Sequence, residues 1–154
     1  MNILVDADAC PVKEIILAFS KGKQIPVILF CDTAHILKDD YAQVITVDQG
    51  PDMVDMKLFG MMQKGDMVVT QDYGLAALCL GKSSLILHPN GFLYTSDNIE
   101  KLLFERFLSA KSRRAGKRGS TIPKRTEQLN IAFKNLLEAL VNDGNSNYNP
   151  VDKE

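Results

Sequence analysis

Seven aspartates occupy positions where side chains could meet: Asp6, Asp8, Asp32, Asp48, Asp52, Asp55 and Asp72. Asp6 and Asp8 follow the apolar run Ile3–Val5, Asp32 follows residues 27–31, and Asp48 follows 43–47. Asp72 closes the run 67–70, and Asp52 and Asp55 stand in the first turns of a helical segment. One aspartate after a strand is an ordinary turn or N-cap residue, and one near a helix start complements the dipole. Several at the ends of different strands repel one another unless a cation lies among them. Carboxylate and water oxygens suit Mg²⁺ or Mn²⁺. Asp52 and Asp55 are three residues apart, so both can face one site.

The elements that must position these acids follow from periodicity. Strands are predicted over 2–6, 27–31, 43–47, 67–70 and 84–87, with a short edge strand over 92–95 after the Pro89-Asn90-Gly91 turn. Helices are predicted over 11–21, with Pro11 in the first turn and Gly22 as the stop, and over 51–63 and 73–80. A further helix, capped by Ser96 or Asp97, runs to about 110 with Ile99, Leu102, Leu103 and Phe107 inward. Residues 111–125 read as a basic connection, and Thr126 caps a last helix carrying the stripe Leu129, Ala132, Phe133, Leu136, Leu137 and Leu140. Alternating strands and short helices imply an α/β, Rossmann-like domain over 1–141: a mostly parallel sheet with helices on both faces, plus C-terminal helices. A polar tail is expected over 142–154. Ligands of such sheets bind beyond the carboxyl ends of the strands, which is where the aspartates fall.

Charge is divided along the chain. Residues 1–105 carry 14 acids against 8 bases, whereas 106–126 carry 8 bases and no acid. The basic residues Lys111, Arg113, Arg114, Lys117, Arg118, Lys124 and Arg125 suit a polyanion held through phosphate contacts. The alternative for this segment is a solvated linker. No aromatic residue lies between 108 and 132, so this segment offers no base stacking. Three scattered cysteines, no apolar run of membrane length and no basic leader after Met1 set the expectation of a cytoplasmic chain with no membrane partner.

Other signals in the chain are weaker. Gly81-Lys82-Ser83 resembles the end of a phosphate-binding loop, but position 76 is Ala and a strand follows where a helix is required. His35 and His88 lack metal-ligand spacing and read as turn or surface residues. Cys10 precedes a helix start that could lower its thiol pKa, yet a small buried residue is the simpler reading.

The opening Asp6-Ala7-Asp8-Ala9-Cys10-Pro11-Val12-Lys13 resembles that of the bacterial YaiI/YqxD family, a PIN-like group. Gln49-Gly50-Pro51-Asp52 with Asp55, Gly65-Asp66 leading to Thr70-Gln71-Asp72-Tyr73-Gly74-Leu75-Ala76, and Tyr94-Thr95-Ser96-Asp97-Asn98-Ile99 are similar to its pattern in the same order. So is the segment from Ser109 to Gly116, whereas Ile122-Pro123-Lys124 departs from the Gly-Pro-Lys expected of the family. The resemblance implies a PIN-like fold and, by extension, a metal-dependent nuclease that hydrolyses phosphodiester bonds of RNA or DNA. It assigns catalytic places to Asp6, Asp55 and Asp72, adds Asp8 and Asp52 as metal ligands, and implies Mg²⁺ or Mn²⁺ as cofactor and RNA as partner. Two other readings stand beside it. One is a non-catalytic nucleic-acid-binding module of the same fold. The other is a receiver-like signalling domain with Asp6 and Asp8 as its acid pair, Asp48 as phosphoacceptor and Thr70 as the switch hydroxyl.

Overall fold

The computed structural model describes residues 1–83, 85–116 and 124–143. Ser84, Lys117, Arg118 and the tail from 144 onward lie outside the described residues. The chain order is β1 (Ile3–Asp6), α1 (Lys13–Lys23), β2 (Val27–Asp32), β3 (Gln43–Val47), α2 (Met53–Met61), β4 (Met67–Val69), α3 (Tyr73–Cys79), β5 (Ile86–His88), β6 (Phe92–Leu93), α4 (Ser96–Arg114) and α5 (Glu127–Asn142).

The strands form one sheet in the order β3-β2-β1-β4-β5-β6. All neighbours are parallel except β5 and β6, which are antiparallel. Both faces are covered, which explains the near-continuous apolar strands. Alternate residues supply opposite cores. Ile3, Val5, Met67 and Val69 pack on one face with Val12 and Ile16 from the α1 side and Phe133, Leu137 and Leu140 of α5. Leu4, Phe30, Val68 and Ile86 pack on the other with Leu58 of α2, Leu75 of α3 and Ile99 of α4. This is the mixed α/β architecture expected, consistent with a Rossmann or PIN-like fold. The sheet grows from β1 in one direction through β2 and β3, then resumes with β4 on its other side. The crevice at the carboxyl ends of β1 and β4 is therefore the topological switch point, the usual ligand position in such sheets.

Four local expectations are corrected. Gly22 does not stop α1. Gln24 does, with φ of +57°, donating to the Lys21 carbonyl while Ile25 N–H donates to the Ser20 carbonyl at 2.9 Å. The apolar Ile25, packed against the core, selects that closure over a stop at Gly22. The cap of α4 is Thr95, not Ser96 or Asp97. Its hydroxyl accepts from Asn98 N–H at 3.1 Å, and the Asn98 side-chain oxygen accepts from Thr95 N–H at 2.9 Å. The same helix continues to Arg114, so Lys111, Arg113 and Arg114 are helical rather than part of a connection; cations suit a helix C-terminus. Phe107 is exposed, not inward, because the 19-residue α4 outruns the 7-residue α3 on which its first turns pack.

His88 is the remaining surprise. It is buried at the end of β5, stacked on Phe92 with ring centroids 4.6 Å apart, and its Nδ1 accepts from Asn90 N–H at 2.9 Å. Burial pushes its pKa down to about 4, with Arg125 adding to the effect, so it is neutral at physiological pH.

The β5–β6 turn rests directly on α5. Gly91 has φ of +90°, and a Cβ there would lie 2.6 Å from the carbonyl carbon of Ala132. Gly65 has the same φ of +90° but open space around it. Gly91→Ala should therefore destabilise by at least about 2 kcal/mol more than Gly65→Ala, since it adds a backbone clash to the shared strain. Urea melts of the two variants measure the difference, and equal losses would contradict this packing.

Candidate active site

Parallel pairing of β1 with β4 sets Val5 opposite Val69, so Asp6 and Thr70 emerge side by side at the switch point. The Thr70 hydroxyl donates to Asp6 Oδ2 at 2.9 Å and accepts the Asp72 backbone N–H at 3.0 Å. That amide occupies the hydroxyl as acceptor, leaving its proton for Asp6. Asp72 is the N-cap of α3, and its Oδ1 accepts from Leu75 N–H at 3.0 Å. Its place is fixed by the local chemistry of a helix start, and the same oxygen lies 3.6 Å from Arg106 Nη1 of α4.

Asp55 reaches this crevice from the first turn of α2. Its pKa is raised by burial and by the charges of Asp72 and Asp52, and held back by Arg106. Asp6 is pushed up to about 6, chiefly by burial; its Thr70 hydrogen bond works the other way, and the charges of Asp55, Asp72 and Asp8 raise it further. Asp6 thus lies near enough to Asp55 and Asp72 to feel their charges, and Asp55 near enough to feel that of Asp72, although the three side chains do not bring ligand oxygens all within 4.8 Å of one another. Asp52 sits at the margin as the N-cap of α2, in the left-handed region at φ +62°, with no side-chain capping bond.

Asp8 is drawn to the other side of β1. Its Oδ1 lies 3.4 Å from His35 Nδ1, and the same nitrogen lies 2.8 Å from Asp32 Oδ1 at the end of β2. Asp48 is exposed beyond β3, and β2 separates that edge strand from β1. A receiver-like site needs its phosphoacceptor strand beside β1, as in the order 2-1-3-4-5. The observed order separates Asp48 from Asp6 and leaves that reading without its geometry.

The basic residues divide as well. Lys111, Arg113 and Arg114 are exposed on the last turns of α4, and Lys124 is exposed before α5. Arg125 is engaged within the fold: it donates to Pro89 O at 2.7 Å, Asn90 Oδ1 at 3.0 Å and Asn130 Oδ1 at 2.6 Å, joining α5 to the β5–β6 turn. Lys82 is a helix-end cation, donating to the Phe59 carbonyl of α2 at 2.6 Å, which accounts for it without any phosphate. Cys10 is no reactive thiol, since burial raises its pKa. A groove of about 370 Å³ between Asn2, Gln24, Pro26, Tyr41 and Gln43 opens at the amino-terminal ends of the strands, on the rim opposite the acids.

Two residues of this rim, Arg106 and His35, carry no functional expectation from the sequence, and Thr70 carries one only as the switch hydroxyl of a receiver-like domain, not as a partner of Asp6 and Asp72. The Thr-x-Asp spacing at positions 70–72 was the available signal for Thr70, since a hydroxyl two residues before an N-cap can bond its amide. Arg106 carried no local signal, because only the packing of α4 on α3 brings it to Asp72.

The buried acid has a measurable signature. Asp6 has a folded pKa of about 6 against 3.8 for an unperturbed side chain. Between those values the folded chain keeps a proton that the unfolded chain has released, so its contribution to stability falls as pH rises through the window and stays lost above it. His88, shifted from 6.5 down to about 4, acts oppositely: its contribution is lost as pH falls through that range. The comparison of wild type with Asp6→Asn isolates the acid. In chelator, the stability gained by Asp6→Asn should grow as pH rises through about 4 to 6 and level just above that range at about 3 kcal/mol above its low-pH value. Urea melts across that range test it, and a difference that does not change with pH would be the contrary result.

The chain matches the model of the uncharacterised YaiI/YqxD family, DUF188, over residues 4–143. A UPF0178 protein of Ruminiclostridium cellulolyticum is 56% identical over 137 residues, covering 89% of this chain and 90% of the relative. A UPF0178 protein of Lachnoclostridium phytofermentans is 48% identical over 144 residues, covering 92% and 97%, and one of Alkaliphilus oremlandii is 47% identical over 137 residues, covering 89% and 88%. No solved structure matches the chain at a significant level. With the family model spanning nearly the whole domain and relatives this similar along their length, the chain belongs to the YaiI/YqxD family.

Proposed function

We propose that this chain is a metal-dependent nuclease that hydrolyses phosphodiester bonds, with RNA as substrate. One observation supports the reading: Asp6, Asp55 and Asp72 come from three different elements, the charges of Asp55 and Asp72 reach Asp6 at the switch point of a parallel sheet, and Arg106 lies beside Asp72. The donor set fits Mg²⁺ or Mn²⁺, being carboxylate oxygens at a crevice open to water. Asp6, Asp55 and Asp72 would hold the ion, with Asp52 at the margin. A bound ion supplies Lewis acidity toward the phosphate and a more acidic water.

The rest of the chemistry belongs to the chain. Thr70 orients the Asp6 carboxylate through one hydrogen bond and anchors the Asp72 backbone through another. Asp72 is held by the first turn of α3. Arg106 presents a guanidinium suited to a phosphate oxygen. Arg113 lies two turns farther along α4, about 10 Å from Arg106 at the helical rise, so a polyanion can run from the acids along that helix. Lys111, Arg114 and Lys124, with Lys117 and Arg118 in sequence, would extend the track through backbone contacts that carry little base preference. No helix among the described residues is long and apolar enough to cross a membrane.

Asp72→Asn keeps a capping oxygen for Leu75 N–H and so should fold. It should lower Mn²⁺-dependent cleavage of labelled RNA by at least about 100-fold, the upper end of what loss of a ligand's supporting partner does. RNA affinity in the absence of metal should hold or rise, since a negative charge near phosphate is gone. Arg106→Gln should weaken binding and lower the slope of log affinity against log salt by about 0.7 on single strands. Gel assays with RNA and DNA at two salt levels decide. Wild-type protein that binds RNA without cutting it in Mn²⁺ would leave only a binding module, and neither binding nor cleavage of either polymer would end the reading.

A further inference from the structure

We propose that Asp8, Asp32 and His35 form a site for one divalent transition-metal ion, separate from the Asp6–Asp55–Asp72 cluster. The proposal does not rest on the nuclease reading.

The two clusters occupy opposite sides of one strand. Asp6 faces Thr70 across the β1–β4 seam, whereas Asp8 faces Asp32 and His35 at the β1–β2 seam. Register explains the second meeting. Asp6 pairs with Phe30, so the chain leaving β1 runs beside the last residues of β2, and Ala7 N–H donates to the Phe30 carbonyl at 2.9 Å. Asp32 then folds the chain back on itself: its Oδ1 accepts from Ala34 N–H at 2.9 Å, which turns His35 toward β1. One oxygen from Asp8, one from Asp32 and one nitrogen from His35 all lie within 4.8 Å of one another.

That arrangement leaves one carboxylate oxygen unmet. Both carboxylates converge on a single imidazole nitrogen. His35 Nδ1 carries at most one proton, and it is closer to Asp32 Oδ1, at 2.8 Å, than to Asp8 Oδ1, at 3.4 Å. Asp8 Oδ1 is buried and has no hydrogen bond. A buried carboxylate oxygen without a hydrogen bond is costly, and burial and the Asp32 charge oppose the Asp8 carboxylate, although His35 and the Asp32 backbone favour it. A metal ion between the three atoms would satisfy all of them, with His35 Nδ1 deprotonated and bound. Two carboxylates with one imidazole suit Mn²⁺, Fe²⁺, Co²⁺ or Zn²⁺, whereas Mg²⁺ takes oxygen ligands. The imidazole is what sets this site apart from the all-carboxylate crevice. His35 and Asp32 remain partly exposed, so an ion has a path in and room for water ligands.

The test uses the full chain stripped of metal, with millimolar Mg²⁺ present throughout to occupy the carboxylate crevice. Zn²⁺ is titrated while the imidazole protons are followed by NMR. The chain has only two histidines, so the signals are few, and His88 is buried on the far side of the sheet order at β5. One histidine should shift at one equivalent of Zn²⁺, and it should be the one lost in His35→Gln. Co²⁺ titrations followed by visible absorption should show one ion per wild-type chain, with affinity reduced at least about tenfold in His35→Gln and in Asp8→Asn, no less than loss of a supporting partner does. Asp72→Asn should bind Co²⁺ as wild type does. The proposal is overturned if wild type binds no Zn²⁺ or Co²⁺ under these conditions, if the His35 signal stays unmoved, or if Asp72→Asn loses the Co²⁺ spectrum while His35→Gln keeps it. Nuclease activity plays no part in these readouts, so a failed cleavage assay leaves them intact.

Discussion

The Thr70 side chain joins two strand ends whose charges oppose the join. Asp6 and Asp72 are both acids, and the Asp72 charge adds to the burial that disfavours ionised Asp6. One hydroxyl offsets part of that by donating to Asp6 and accepting from the Asp72 amide. The backbone of the same residue is equally engaged: its N–H donates to the Leu87 carbonyl at 3.1 Å, and its carbonyl accepts from the Tyr94 hydroxyl at 2.9 Å. Thr70 therefore ties β4 to β1, to β5 and to the segment that opens α4. The helix start at Asp72 and the approach of Arg106 both depend on that fixed point.

Around it, the sheet order separates two kinds of polar chemistry. β1 is central, with β4 on one side and β2 on the other. Acids spaced two apart after β1 consequently face different neighbours: Asp6 turns to carboxylates and a hydroxyl, Asp8 to a carboxylate and an imidazole. A fold with β2 and β4 on the same side of β1 could not divide them so. The exposed basic turns of α4 are carried by the helix that also delivers Arg106, so capture of a polyanion and chemistry at the acids share one rigid element.

Much of this was legible in the chain. Buried parallel strands announce themselves as short apolar runs, and strand β3 falls at residues 43–47 as periodicity indicates. The aspartates at the ends of β1, β2 and β4 were visible for the same reason, because position after a strand is a local property. What was not legible depends on distance in sequence. Nothing near Arg106 signals its meeting with Asp72, 34 positions earlier in the numbering. His88 looks like a turn residue beside Pro89 until β6 folds Phe92 over it. The grouping of Asp8 with His35, rather than with Asp6, depends on strand order, which alternation of elements leaves open. Gly22 misled because glycine is read as a stop, whereas the apolar Ile25 decided where α1 closes.

The central claim is that the acids at the β1–β4 seam are held together to receive a divalent cation. Crystals soaked in Mn²⁺ and measured at a wavelength where manganese scatters anomalously would test it most directly. The account predicts an anomalous peak in the crevice bounded by Asp6, Asp55 and Asp72, and its loss in crystals of Asp6→Asn. An empty crevice at saturating Mn²⁺, with the three carboxylates undisturbed, would contradict it.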